Sequence, residues 1–578
     1  MNPTRKLLRY VFRRKKLLFI TFTLSILSSL TGLIVPLFAR SSINLLAAGD
    51  FKDVWSYALG IIAFTVIQGL ISFGTRYYSA LLSESIVFDI RNDVYVTLQN
   101  LSYSFYSKTD SGQIIARATS DVERIKGFIG FTFRGFVGAL ITLISAIGIM
   151  LYLDWVLTLM VLTIFPFVAL VVRLFARRVR KMFQNAREIY SVFTGLIRET
   201  VIGIKIIKSF TAEELFDEKF TDLNTSYKEY LINIGKMRAL VWPVVGLLVS
   251  LATLAVYWYG GLQVMSGKIR IGDVVAFSIY VGMITWPMVA LSFFTVSYER
   301  AMISAKRVFE ILEMKSEVRE DPNAIQLRNV KGEVVFDNVW FRYDNKSKWI
   351  LRGVSFRVSP GEKVAIVGPT GSGKTTLVQL LPRFFDPQKG KILIDGIDIR
   401  KVKIDSLRRN IGIVHQDIYL FPDTIKNNIS YGKPDAKLSE VIKVAKIARL
   451  HDFIDSLPRK YDTIIGERGI TLSGGQRQRL AIARTLITDP KIIILDDSTS
   501  NIDADTEKAI YDALSKYFEG KTVIIISHRL STLKLADRII VLKNGKVAEE
   551  GSFEDLIGKS EFFKSIFEKE LSASVRGE

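Results

Sequence analysis

Uncharged, strongly apolar runs recur along the first half of the chain, at 17–39, 54–75, 135–153, 155–172, 239–262 and 274–298. Each reaches the roughly 18–20 helical residues that cross the hydrocarbon of a bilayer. The pattern therefore predicts six membrane spans rather than six buried core helices. The first run is too long for a cleaved signal peptide and has no small-residue cleavage site after it. Two long connections, 76–134 and 173–238, hold few Gly or Pro and mix their charges, so they predict helical arms. At about 1.5 Å per residue, arms of roughly twenty residues carry the spans about 30 Å beyond the bilayer. Pro36, Pro166, Pro243 and Pro287 lie inside spans and are expected to bend them. After residue 314 the pattern changes. Residues 315–330 are charged and contain Pro322, as a linker would. From 331 to 578, short β-branched runs alternate with helical stretches. The fold class expected is an all-α six-helix membrane domain over 1–314, with long helical extensions, fused to an α/β domain over 331–578.

Charge orients this arrangement. Lys and Arg number 78 against 57 Asp and Glu, a net charge of +21. Arg5, Lys6, Arg9, Arg13, Arg14, Lys15 and Lys16 precede the first span, and a second basic cluster follows the fourth. The segments after spans one and five carry few cations. The basic ends belong in the cytoplasm, and an even number of spans returns the second half there. Much of the basic excess thus lies at membrane ends, and no nucleic-acid motif accompanies it. With no cysteine and three histidines, disulfides, zinc–thiolate sites and thiol catalysis are excluded.

The second half carries phosphate chemistry. Gly368, Pro369, Thr370, Gly371, Ser372, Gly373, Lys374, Thr375 and Thr376 form a P-loop, predicted between a strand at 363–367 and a helix at 375–381. Its glycines let backbone N–H groups curl around phosphate, and the helix N-terminus adds a favourable dipole. Lys374 would reach the β- and γ-phosphates of ATP, and Thr375 would ligate Mg²⁺. The apolar strand 492–496 ends in Asp496, which would serve Mg²⁺ either as a direct ligand or by holding one of its ligands. Alone, that Asp would read as a strand-end turn residue; a P-loop upstream changes the reading.

Leu472, Ser473, Gly474, Gly475 and Gln476, followed by a helix at 477–486, resemble the signature of ATP-binding-cassette proteins. The resemblance runs over essentially the whole chain and is nearest to exporters of the multidrug and lipid branch, which fuse six spans to one cassette. It implies a RecA-like core, an antiparallel β subdomain and a helical subdomain. It also implies residue roles. Tyr343 would stack on adenine, Gln416 would touch Mg²⁺, and Thr463–Gly469 would meet the cytoplasmic arms. Asp503 would cross to a partner cassette, and His528 would contact the γ-phosphate. His415 and His451 read as structural. In this family ATP sits between the P-loop of one cassette and the signature of another, so the chain is expected to dimerise and hydrolyse ATP in the cytoplasm, at the cell membrane.

One position departs from the family pattern. Where a glutamate normally polarises the attacking water, this chain has Asp497, one methylene shorter. A base must sit within hydrogen-bond reach of its water, so the site built on this P-loop is expected to be slow. With an intact signature, that favours a heterodimer of half-transporters over a homodimer. The contrasting reading is a nucleotide-gated channel or receptor that binds ATP with little hydrolysis. Trp242, Phe277, Tyr280, Trp286 and Phe293 could line a cavity for an apolar or amphiphilic drug, lipid or peptide, or pack against lipid and helices.

Overall fold

The computed structural model describes residues 2–51, 53–344, 346–466, 469, 471–497, 504–527 and 529–567. The chain divides into two units, Met1–Gln99 with Ser111–Met314, and Asn100–Asp110 with Lys315–Glu578.

The first unit is helical. Its elements are α1 (Pro3–Arg13), α2 (Lys15–Ala47) and α3 (Val54–Asn100), whose last residue belongs to the second unit. After α4 (Tyr103–Lys108), which belongs to the second unit, come α5 (Ser111–Ala118), α6 (Ser120–Gly127) and a π-helical turn at Phe128–Phe133. Then follow α7 (Arg134–Leu153), α8 (Trp155–Ile202), α9 (Ile204–Ser209), α10 (Glu213–Met265) and α11 (Ile271–Glu313). Six of the described helical stretches are long and apolar enough to cross a membrane, and they contain the six predicted runs. Asp154 separates two spans and caps α8, its carboxylate accepting the Leu157 N–H at 2.8 Å. The expected arms are present as helix: α3, α8, α10 and α11 continue without interruption well past their apolar stretches. Each of the four prolines lies inside an unbroken helix.

The basic N-terminus forms a helix of its own. Asn2 caps it by accepting the Thr4 N–H at 3.0 Å. Leu7 and Tyr10 are buried on one face, and Arg14, at its end, pairs with Asp89 on α3 at 2.7 Å. Hydropathy alone did not show this helix, because its apolar stripe is narrow and its other face is charged. The aromatic residues expected at a cavity divide. Phe277 and Tyr280 are fully buried core residues, and the Tyr280 hydroxyl donates to the Leu33 carbonyl at 2.8 Å. Trp242, Trp286 and Phe293 are exposed, the two indoles stacked with centroids 6.3 Å apart. A buried Tyr hydroxyl needs a partner, and the helix carbonyl supplies it; hydropathy does not say which face of a span turns inward.

The second unit contains two sheets. Strands β1 (Val334–Phe341), β2 (Leu351–Val358), β4 (Lys389–Ile394) and β5 (Ile397–Asp398) form an antiparallel sheet in the order β2-β1-β4-β5. The other sheet uses β3 (Lys363–Val367), β6 (Ile411–Val414), β7 (Ile492–Asp496), β8 (Thr522–Ile526), β9 (Arg538–Lys543) and β10 (Lys546–Gly551). Its order is β10-β9-β3-β8-β7-β6, parallel except for the β9–β10 pair. The central strands are buried along most of their length, as near-continuous apolar runs require in a parallel sheet covered on both faces. In such sheets ligands bind beyond the carboxyl ends of the strands.

Candidate nucleotide site

β3 delivers the P-loop and β7 delivers Asp496, each at the carboxyl end of its strand, with β8 between them. The P-loop opens α12 (Lys374–Leu380), one residue earlier than expected. Gly368 has no room for a side chain: a Cβ there would lie 2.3 Å from the Leu542 carbonyl oxygen. Gly373 turns the chain at φ +102°, a conformation that glycine adopts without steric cost.

Lys374 is buried and donates to the Gly368 and Pro369 carbonyls at 2.8 and 3.1 Å. Burial pushes its ammonium below the usual lysine range, while Asp497 and Asp496 pull the other way. The Thr375 hydroxyl points at the Asp496 carboxylate, 3.4 Å away. Asp496 is buried, and burial pushes its carboxyl up to about 6. The Thr375 bond and Lys374 oppose that rise, and Asp497 and Asp417 add to it. Asp497 is half-buried in the left-handed region at φ +50°, which Asp tolerates better than most side chains. Its N–H donates to the Ile526 carbonyl at 3.0 Å.

Whether these residues suit a magnesium nucleotide can be tested on the loop itself. The Ser372 hydroxyl is buried with no hydrogen-bond partner, at a loop with Lys374 on one side and a buried carboxylate nearby. A donor left unpaired in such a place costs about 1–3 kcal/mol, a cost that a phosphate oxygen would remove. The donor set fits: a lysine and hydroxyls for phosphate, a carboxylate and Thr375 for a hard cation.

Tyr343 lies just past β1, and its hydroxyl meets Thr376 Oγ1 at 3.1 Å and donates to Gln379 Oε1 at 3.4 Å. Its ring packs edge-on against Phe341 and Phe385, at 5.0 and 5.2 Å. Phe385 also meets Tyr103 of α4, at 5.7 Å. Sequence reasoning missed Gln379, Phe385 and Tyr103, since no motif marks a residue that only holds another in place. Gln416 is exposed two residues beyond β6.

The signature stands apart from this group. No hydrogen bond or ion pair among the described residues joins the P-loop to Leu472–Gln476. Leu472 is buried, and Ser473 caps the helix Gly474–Leu486. The Ser473 hydroxyl accepts the Gln476 N–H at 3.2 Å, and Gln476 Oε1 accepts the Ser473 N–H at 2.8 Å. This capping box starts the helix at Gly474 instead of the expected Arg477. Asp503, His528, Glu467 and Arg468 lie outside the described residues. His415 lies against Phe384, and His451 Nδ1 meets the Tyr461 hydroxyl at 2.9 Å.

Known proteins place this arrangement. Residues 18–288 match the model of the ABC transporter transmembrane region, and residues 351–500 match that of the ABC transporter. A putative multidrug export ATP-binding/permease protein of Bacillus subtilis, YgaD, is 34% identical, over 98% of this chain and 99% of that protein. The ATP-dependent lipid A-core flippase of Syntrophus aciditrophicus is 36% identical, over 88% of this chain and 84% of its own length. A bacterial Atm1-family ABC exporter solved with ATP bound superposes with a TM-score of 0.78 at 29% identity, covering 96% of this chain and 98% of that one. With the spans and the phosphate loop on one polypeptide, and relatives matched over nearly their whole length, the chain belongs to the ATP-binding-cassette transporter family.

Proposed function

We propose that this chain is one half of an ATP-driven exporter that moves an apolar or amphiphilic substrate out of the cell. In this reading residues 1–314 cross the cell membrane, 315–330 link, and 331–578 bind and hydrolyse ATP in the cytoplasm. The observation that carries it is the presence, on one chain, of six span-length helices and a P-loop with a buried, unpartnered serine beside Lys374. The relative named for multidrug export supports the direction of transport, and the one named as a lipid A-core flippase supports an amphiphilic substrate.

Lys374 would exchange its two carbonyl partners for the β- and γ-phosphates of ATP. Tyr343 would stack on adenine, and His528 would hold the γ-phosphate. Thr375, Gln416 and Asp496 would hold Mg²⁺, which supplies charge neutralisation at the phosphates when bound. Ser473 to Gln476 would serve the P-loop of a partner chain, and Asp503 would reach across to it, so two chains complete each site. Asp497 would orient the attacking water from one methylene too far away. A heterodimer, in which the partner supplies the faster P-loop site, fits this best.

Inside-out vesicles carrying the assembled transporter test the reading. They should accumulate a fluorescent amphiphile when Mg²⁺-ATP is added outside, and not with a non-hydrolysable analogue. Equal flux with the analogue would favour a nucleotide-gated channel. Accumulation only in right-side-out vesicles, with ATP inside, would refute export.

A further inference from the structure

Gln416 is exposed, but the chain on both sides of it is tied to one helix. That helix, Gly474–Leu486, begins at the signature. Before Gln416, in β6, the Ile413 carbonyl lies 3.1 Å from the Thr485 hydroxyl, which also reaches the Ala481 carbonyl one turn back at 3.0 Å. After Gln416, the Tyr419 carbonyl accepts from the Arg484 guanidinium at 2.8 Å. Two consecutive residues of the signature helix thus grip the segment 413–419 at its two ends, with Gln416 in the middle.

Arg484 is half-buried and is itself fixed in place. Its Nε donates to the Asn428 carbonyl at 2.8 Å, and Nη2 donates to Asn428 Oδ1 at 2.6 Å. The Asn428 amide donates to the Phe421 carbonyl at 2.9 Å, and Asn428 Oδ1 accepts the Phe421 N–H at 3.0 Å. The Phe421 and Tyr431 rings stack at 4.7 Å, and the guanidinium lies 5.9 Å from each. A planar guanidinium directed at three oxygens holds them in one geometry, and bonds from a charged donor are the strong ones. Loop and helix are therefore bound to move together.

The gripped segment also faces the nucleotide group. β6 lies beside β7, which carries Asp496, and Asp417 is close enough to add to the rise of the Asp496 carboxyl. If Gln416 meets Mg²⁺ at this chain's own P-loop, a shift of its segment on ATP binding pulls on Arg484 and Thr485. From Arg484 back to Gly474 is about 15 Å of helix, a rigid element able to carry such a shift. Its far end is the signature, which would serve the partner's P-loop. We propose that Arg484 and Thr485 are positioning residues that join Gln416 to the signature, so that ATP at one composite site sets the placement of the signature at the other. The proposal rests on the two-chain reading of the ATP sites.

The test is a double-mutant cycle on ATP turnover by the full-length, assembled transporter in proteoliposomes. Arg484→Lys keeps the charge but cannot bridge the same oxygens. It should lower kcat about tenfold, a usual size for coupling between sites, and leave labelling of this chain by an azido-ATP unchanged. Gln416→Ala should lower kcat at least as far. The double variant should be no slower than Gln416→Ala alone, because both changes cut one connection. Residues that act independently would instead multiply their losses. Thr485→Val removes only a hydroxyl, so it should show the same non-additivity with a smaller loss. It decides the question if Arg484→Lys melts below the assay temperature. Double variants slowed by the product of the two single losses would overturn the proposal. So would an unchanged kcat in both Arg484→Lys and Thr485→Val. Vesicles that move no amphiphile while the cycle stays non-additive would count against export and leave this connection standing.

Discussion

Lys374 has the clearest consequence at the scale of single residues. Its ammonium is buried and held by two P-loop carbonyls, so it is preorganised for phosphate. Lys374→Ala should remove ATP binding at this chain's own P-loop almost completely, because a fixed charge facing the phosphates is lost. Photo-labelling of this chain by an azido-ATP in the assembled transporter checks this, and undiminished labelling would refute the P-loop assignment. Phe385 makes a subtler case. It supports the Tyr343 ring and touches no P-loop residue in the contacts described. Phe385→Leu should loosen the surface expected to stack on adenine. An aromatic pair is worth about 0.5–1.5 kcal/mol, so KM for ATP should rise about two- to tenfold with kcat little changed. An equal fall in kcat with KM unchanged would show that Tyr343 is not what Phe385 positions. The motif residues here were legible because phosphate binding demands fixed residue types at fixed spacing. Phe385 and Gln379 were not, because any bulky ring or long polar side chain in contact could do their work.

At the scale of elements, the π-helical turn Phe128–Phe133 shows how tertiary contacts decide local geometry. A π turn displaces the ordinary i→i−4 pairing. The Gly130 carbonyl accepts from the Ser79 hydroxyl at 2.7 Å, and a Cβ on Gly130 would lie 2.8 Å from Ser83 Oγ. The turn therefore depends on α3 lying close. Ser79→Ala should leave that carbonyl short of a donor in a buried place and cost about 1–3 kcal/mol. A lowered melting temperature of the detergent-solubilised protein is the expected result. An unchanged melting temperature would mean that the turn satisfies itself. Periodicity cannot reveal such a turn, since the decisive group lies some fifty residues away. The spans are the opposite case. Hydrocarbon leaves a crossing backbone no partner but itself, so length and hydropathy suffice to find them. Strands β3 and β7 match their expected bounds, because short β-branched runs between turn residues leave little freedom. The helix at Gly474 was placed three residues late, since two glycines argue against helix and the capping box outweighs them.

At the scale of the whole molecule, the chain carries two halves of chemistry that do not meet within it. The P-loop group gathers Lys374, Thr375, Asp496 and Asp497, while Ser473 to Gln476 cap a separate helix without bonding to that group. If sites form between chains, the two halves belong to different sites, and damage to each should have different consequences. Asp497 is short for a water-orienting base, so the site on this P-loop would mainly hold ATP. The fast site would then combine the partner's P-loop with this chain's signature. Asp497→Asn should leave most of the ATPase activity of the assembled heterodimer. Gly474→Asp should nearly stop it, because a carboxylate at the first turn of the signature helix would face the partner's ATP phosphates and repel them. Phosphate release from the reconstituted pair, with each variant in turn, makes the comparison. The reverse result, with Asp497→Asn abolishing turnover, would show Asp497 acting as an effective base. A strongly active homodimer of this chain alone would exclude the heterodimer, since both of its sites would then run on Asp497.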